Sequence, residues 1–495
     1  MRKHICYIIL LVCTGLHALG QVSPSWSVEY PGVGVYASPR VLDVNQDGVK
    51  DIILGCGKRE FQYADTAVIA LDGKNGSLLW KVAARDQIFG SASLLDIDQD
   101  GVEDVIIGGR SAELKAINGK SGRLLWEFTP ISDTSELRAL GYFNFYNPQI
   151  IPDQNGDGFS DILVANGGDV NAAPYDPDRP TGHLFVLDSR SGKLLAKASM
   201  PDGKETYFSV VVFPSDPDSK ELSVVFGTGG ETVGGGLYRC KLAEVAAGSL
   251  ENAHLLVHST EEKGFIAPPV IIDLNQDGYL DIVANAVEGV TYAFDGQTNE
   301  ILWQRKIENT EAYSSLAPGY YQSKERPDLF SIYATGVWPE LNESQQFLLD
   351  GQDGSIRFSD SIGFVQTCSP IAADLDKDGF DEALLSVNVQ VENLPFVDYY
   401  NILLLYDFQH NTFLQLTDAT PGLNLASTPW VGDLDGDGNF DIVYCSLTET
   451  RDVFAMGGMR INVIKTSDRI PKPVTWGSYM GQKYDGVFQG TNKEN

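Results

Sequence analysis

Apolar residues along the chain come in short runs cut off by Asp, Asn and Gly, as in Asp51-Ile-Ile-Leu54, Val68-Ile-Ala-Leu71 and Leu78-Leu-Trp80. Runs this short, bounded by turn residues, predict strands. Two motifs set their spacing. The first is Asp43-Val-Asn45-Gln-Asp47-Gly48-Val49-Lys-Asp51, which returns from Asp96, Asp153, Asp273, Asp374 and Asp433. Successive copies start 53, 57, 120, 101 and 59 residues apart. The two long intervals are about double the rest, so each should hide a decayed copy. Asp216 to Gly227 and Gly319 to Asp328 keep the flanking runs without the carboxylates, which makes eight units.

The second motif falls between copies of the first: Asp72-Gly-Lys-Asn-Gly76-Ser-Leu-Leu-Trp80, then forms starting at Asn118, Asp188, Asp295 and Asp350. Asp-Gly followed by a second Gly or Asn supplies the positive φ angles of a tight hairpin. Each unit thus holds four strands, a to d, with the carboxylate loop between a and b and the hairpin between c and d. Four antiparallel strands per repeat predict an all-β fold, an eight-bladed β-propeller. Trp26-Ser-Val-Glu-Tyr30 looks like a d strand without a blade, and the unit from Asp433 lacks a clear d strand. The N-terminal strand should therefore close the eighth blade and remove the open edges.

Oxygens at positions 1, 3 and 5, Gly at 6 and a carboxylate at 9 suit calcium, which takes six to eight oxygen ligands. Positions 1, 3 and 5 are Asp43, Asn45 and Asp47; Asp96, Asp98 and Asp100; Asp153, Asn155 and Asp157; Asp273, Asn275 and Asp277; Asp374, Asp376 and Asp378; Asp433, Asp435 and Asp437. The backbone carbonyl of position 7 would come from Val49, Val102, Phe159, Tyr279, Phe380 and Asn439. Position 9 is Asp51, Asp104, Asp161, Asp281, Glu382 and Asp441. An EF-hand is excluded, because position 12 is Leu54, Ile107, Val164, Ala284, Leu385 or Tyr444 where that loop needs Glu. One such loop could be a plain turn, but six in phase would crowd carboxylates together with no counter-ion. About six structural Ca²⁺ are expected.

These loops resemble FG-GAP repeats, the calcium-loop blades of integrin α-chain propellers, and the Asp-Gly-Lys-x-Gly-x-Leu-Leu-Trp segments are similar to blades of quinoprotein-like propellers. The resemblance covers nearly the whole chain after the leader. It implies a secreted or cell-surface propeller with structural calcium, and it fixes no activity. Integrin-type ligand binding does not carry over, since no inserted domain is present.

Charge and the N-terminus narrow the setting. Asp plus Glu number 67 against 36 Lys plus Arg, a net charge of −31 that argues against a nucleic-acid partner. Six Ca²⁺ would cancel 12 charges and leave −19. Arg2-Lys3, the apolar run Ile5 to Val12 and Ala18-Leu19-Gly20 read as a signal peptide cleaved near Gly20, for a secreted, periplasmic or cell-surface protein. The expected division is residues 1–20 as leader, 21–470 as propeller and 471–495 as a polar tail, with no membrane span and a monomeric state. Cys56, Cys240, Cys368 and Cys445 are too scattered for a disulfide framework; a Cys56–Cys445 bridge stays open.

Long connections gather on the b–c and d–a side: 57–66, 130–147, 167–182, 227–236, 336–345 and 388–401. They carry Tyr63, Tyr142, Phe143, Phe145, Tyr146, Tyr175, Trp338, Tyr399 and Tyr400. Insertions collected on one face mark a binding face, here the one opposite calcium. The leading expectation is a non-catalytic binding or adhesion scaffold for a protein or glycan. A polysaccharide lyase-like enzyme using Arg138, Arg179 or His183 is second, and a quinone-dependent dehydrogenase third, disfavoured by the absence of an adjacent cysteine pair.

Overall fold

The computed structural model describes residues 22–490 except 129–140, 170, 218, 260–261, 365–366, 394 and 453. The leader and Arg138 lie outside the described residues. The described residues form eight antiparallel sheets, each one blade, in sequence order around an axis. Blade 1 is typical: strand a is Arg40–Leu42, b Asp51–Gly55, c Ala64–Leu71 and d Leu78–Ala84. Strand b is buried throughout while d is half exposed, so the apolar content of each strand follows its distance from the axis. The two units without carboxylates are real blades, built on Val211–Pro214 with Leu222–Gly227 and on Ala317–Gly319 with Asp328–Val337.

Closure occurs where the pattern predicts it. Trp26–Pro31 pairs antiparallel with Gly458–Arg469, from Trp26 opposite Val463 to Pro31 opposite Gly458. The N-terminal strand also completes a repeating lock between blades. Trp26 Nε1 donates to the Gly73 carbonyl of blade 1 at 3.1 Å; Trp80, Trp126 and Trp303 do the same to Gly119 (2.7 Å), Ser189 (2.7 Å) and Gly351 (2.9 Å). The second hairpin glycine lies against the ring: a Cβ on Gly122, at φ +70°, would stand 2.6 Å from Trp80. Strand d of blade 4 has no Trp, and there Arg239 reaches the next hairpin instead, donating to the Gly296 carbonyl (2.6 Å) and Asn299 Oδ1 (2.8 Å). With no ring to meet, that hairpin carries Asn299 where others need glycine.

Around the axis a second belt joins blades through the residue two positions before each strand a. Thr428 N donates to Ser38 Oγ, Ser38 N to Ser91 Oγ, and Ser91 N to Asn147 Oδ1. Asn147 Nδ2 continues to Ser209 Oγ, while Ser315 N reaches Ser369 Oγ and Ser369 N reaches Thr428 Oγ1. Blade 5 has Pro268 at this point, with neither an N–H nor a hydroxyl to offer, and leaves the belt open.

The polar tail enters the central channel. After Arg469 the chain turns in at the carboxylate-loop face, and Lys472 meets Asp381 at 3.0 Å. Strand a then pairs with it in three blades: Ala372 N donates to the Trp476 carbonyl, Val431 N to Gly477 and Ile271 N to Gly486. Trp476, Met480 and Phe488 are at most 4% exposed. Arg40, fully buried, stacks on Tyr484 at 3.9 Å and donates to the Tyr479 carbonyl at 3.1 Å. Burial pulls its guanidinium down to about 10. The tail is thus a plug, and its apolar residues fill the carboxylate-loop half of the channel.

Candidate functional site

All six carboxylate loops share one backbone geometry. Position 6 is Gly at φ between +81° and +92°, and position 4 is also left-handed, at Gln46, Gln99, Gly156, Gln276, Lys377 and Gly436. Two positive-φ residues one apart curl the loop so that the carboxylates at 1, 3 and 5 turn inward. In blade 1 the Asp43 carboxylate accepts from Asp47 N and Gly48 N, and Asp47 Oδ1 accepts from Val49 N. The three loops with Asp at position 3 bring three carboxylates within 4.8 Å: Asp96, Asp98 and Asp104; Asp374, Asp376 and Glu382; Asp433, Asp435 and Asp441. Blades 1, 3 and 5 have Asn at that place.

The donor set fits a divalent cation. Oδ1 of Asp273, Asp374 and Asp435 is buried with no hydrogen-bond partner among the described residues, a costly arrangement unless a cation faces it. Elsewhere nearby groups face the carboxylates. Lys74 Nζ lies 2.8 Å from Asp47 Oδ2, Lys465 Nζ 2.9 Å from Asp435 Oδ2, and Asn118 Nδ2 donates to Asp98 and Asp100. The Lys74 hydrogen bond holds the Asp47 carboxyl below its usual range.

Position 9 has a second duty that the sequence did not announce. Asp104 Oδ2 accepts from Ile97 N (2.9 Å) and Asp98 N (3.3 Å), while Oδ1 accepts from the hairpin Gly119 N at 3.0 Å. Asp51 and Asp281 repeat the pattern onto Gly73 and Gly296. This carboxylate therefore pins the a–b loop to the c–d hairpin and puts both on one face. In blade 2 the pinned position is tight, since a Cβ on Gly119 would lie 2.0 Å from the Glu103 carbonyl oxygen, although blade 3 has Ser189 there. The decayed blade 6 keeps the tie through Asp328 and Gly351 N, at 3.4 Å. Blade 4 has lost both halves, since the helix Leu242–Ala246 stands where the hairpin would be. Burial raises these carboxyls, Asp51 and Asp281 to about 6 and Asp441 to about 7.

The other face holds a pocket of about 250 Å³ on the axis. Every d–a connection contributes to its wall, among them Tyr36, Phe89, Tyr146, Tyr207, Tyr313 and Ala426, and Tyr479 of the plug forms its floor. Ser38, Ser91, Asn147, Ser209 and Ser369 add hydroxyls and an amide. Beside the mouth, Lys263 meets Glu311 at 2.6 Å and Arg179 meets Glu205 at 3.2 Å, all four side chains at most 8% exposed. Burial raises Glu205 and Glu231 above the usual carboxyl range.

The aromatic residues expected on this face divide. Phe143, Phe145 and Tyr146 are at most 7% exposed, and Tyr142 packs edge-on against Phe128 and Phe185, so this segment is core and not a contact surface. Of that group only Tyr146 also reaches the pocket. Tyr63 (61%) and Tyr175 (47%) are exposed, and Trp338 stacks edge-on with the exposed Phe454. Two of the long connections, 336–345 and 388–401, belong to regular paired arms: Asp328–Val337 with Glu340–Leu349, and Glu382–Asn393 with Phe396–Asp407. Arg179 is saturated, donating to the carbonyls of Asp169, Ala173 and Asp176 and to Thr232 Oγ1 besides Glu205. His183 is buried on a strand, and burial lowers it to about 4. The four described cysteines are all free and buried; Cys56 and Cys445 share one apolar cluster without a bond.

Among the described residues no helix is long and apolar enough to cross a membrane. Comparison with known proteins supports the architecture. A family model described as outer membrane protein assembly factor BamB matches residues 42–145. Protein FAM234A of Mus musculus is 27% identical over 169 residues, which is 30% of this chain and 30% of the mouse protein. The chain thus spans under a third of that relative. Among solved structures, a europium-containing methanol dehydrogenase superposes with TM-score 0.57 at 10% identity, over 89% of this chain and 93% of that one. An exotype rhamnogalacturonan lyase gives 0.54 at 14%, over 88% and 75%. At such identities the likeness is one of fold: this chain is an eight-bladed β-propeller.

Proposed function

We propose that this chain is an exported, calcium-stabilised propeller of FG-GAP type that acts as a non-catalytic binding scaffold, taking a glycan or a protein segment at the axial pocket opposite the carboxylate loops. The pocket carries the reading. Eight connections converge on one chamber the size of a sugar ring, walled by aromatic rings and hydroxyls, the chemistry that stacks on and hydrogen-bonds a saccharide. The plug closes its floor, so a ligand enters from one side only. Arg179 and His183, two of the three basic groups of the lyase reading, are committed to packing, which weighs against that reading. A glycan array with the mature protein tests the proposal, with Tyr36→Ala as the comparison. Saccharide binding that Tyr36→Ala weakens at least tenfold, with melting unchanged, supports it. Saccharide binding indifferent to Tyr36→Ala and to the other pocket residues would place the site elsewhere.

A further inference from the structure

The carboxylate loop of blade 7 differs from the other five in what stands across from it. Its hairpin is Asp407-Phe-Gln-His410-Asn411, with Phe408 where blades 1, 2 and 5 present glycine to the position-9 carboxylate. One ligand atom each of Asp376, Asp378 and His410 lie within 4.8 Å of one another, and Asp376 also belongs to the cluster with Asp374 and Glu382. Independently, Asp374 is 3% exposed and its Oδ1 has no hydrogen-bond partner among the described residues. His410 Nδ1 is 2.7 Å from Asp407 Oδ2, which fixes the ring and leaves Nε2 as the free nitrogen. A carboxylate behind an imidazole is the usual support of a metal-ligating histidine.

We propose that blade 7 is a mixed carboxylate–imidazole site that selects a divalent transition metal of the zinc or cobalt class over calcium. Calcium takes oxygen ligands, whereas an imidazole nitrogen raises affinity for zinc and cobalt and adds little for calcium. The side chain of His410 is 49% exposed, so an ion reaches it without opening the fold. The inference rests on reading these loops as cation sites and adds the choice of metal at one of them.

Cobalt(II) is the probe, titrated into the calcium-saturated full chain and followed by its visible d–d absorption and by metal analysis. One Co²⁺ is expected to bind, displacing one Ca²⁺, at least tenfold tighter than to His410→Gln. His254→Gln, which removes an exposed histidine elsewhere, should change nothing. Equal Co²⁺ affinity in the wild type and His410→Gln, with calcium binding intact, would overturn the transition-metal assignment and leave the calcium loops standing. Failure of both Ca²⁺ and Co²⁺ to bind would overturn the two together.

Discussion

Replacing Asp104 by Asn separates the two duties of position 9. Asp104 receives three backbone N–H groups, from Ile97, Asp98 and Gly119, at 2.9 to 3.3 Å, and it is fully buried. An amide presents one acceptor oxygen and turns an N–H₂ toward at least one of those donors. The amide oxygen can keep Ile97 and Asp98 and leave Gly119 N unpaired, and a buried donor left unpaired costs about 1–3 kcal/mol. For a domain of this length the unfolding entropy scales to about 1 kcal/mol per degree, giving a fall of about 1–3 °C in Tm. The fall should persist in chelator, since the tie to Gly119 needs no ion. Asp100→Ala is the contrast. Asp100 is exposed and accepts from Val102 N and Asn118, so in chelator its loss should shift Tm by no more than about 1 °C. With calcium at twenty times Kd, the same change should forfeit about 1.8 kcal/mol of linkage, or about 2 °C. Scanning calorimetry of both variants, with and without calcium, gives the four numbers. An Asp104→Asn protein that melts with the wild type in chelator would refute the tie.

Trp80→Phe keeps the ring and deletes the Nε1 bond to Gly119; it should cost about 1–2 kcal/mol by denaturant melt. Trp476→Ala should cost about 3–5 kcal/mol by the same assay, because the plug residue is 1% exposed. The depressed His183, at about 4 when folded, stays neutral while the unfolded chain takes up a proton below its ordinary value of 6.5. Stability should therefore fall as pH drops from about 6.5 to about 4, by about 1–3 kcal/mol allowing for partial solvent access, and His183→Phe should flatten that slope.

The repeat phase made most of the fold legible. Strand order, the hidden blades at Asp216 and Asp328, and closure by Trp26 to Tyr30 all follow from motif spacing, because each motif marks one turn of one unit. The plug was not legible, since residues 471–490 repeat nothing and their partners are strand a edges from distant blades. Asp104 and its equivalents read as metal ligands only, because sequence shows a carboxylate and not the glycine N–H that faces it across 15 residues. The belt left a faint signal: Ser38, Asn147, Ser369 and Thr428 each precede a proline. The 142–146 aromatics misled, because an aromatic run in a long connection looks alike whether it folds under the loop or over it.

The central claim, that cations bound by six carboxylate loops hold this propeller together, is tested most directly by equilibrium dialysis of the full chain against radioactive calcium, with a melting curve at each concentration. The account predicts about six ions bound at saturation and a Tm that climbs with occupancy and falls back in chelator. Fewer than two bound ions, or a Tm indifferent to calcium, would contradict it.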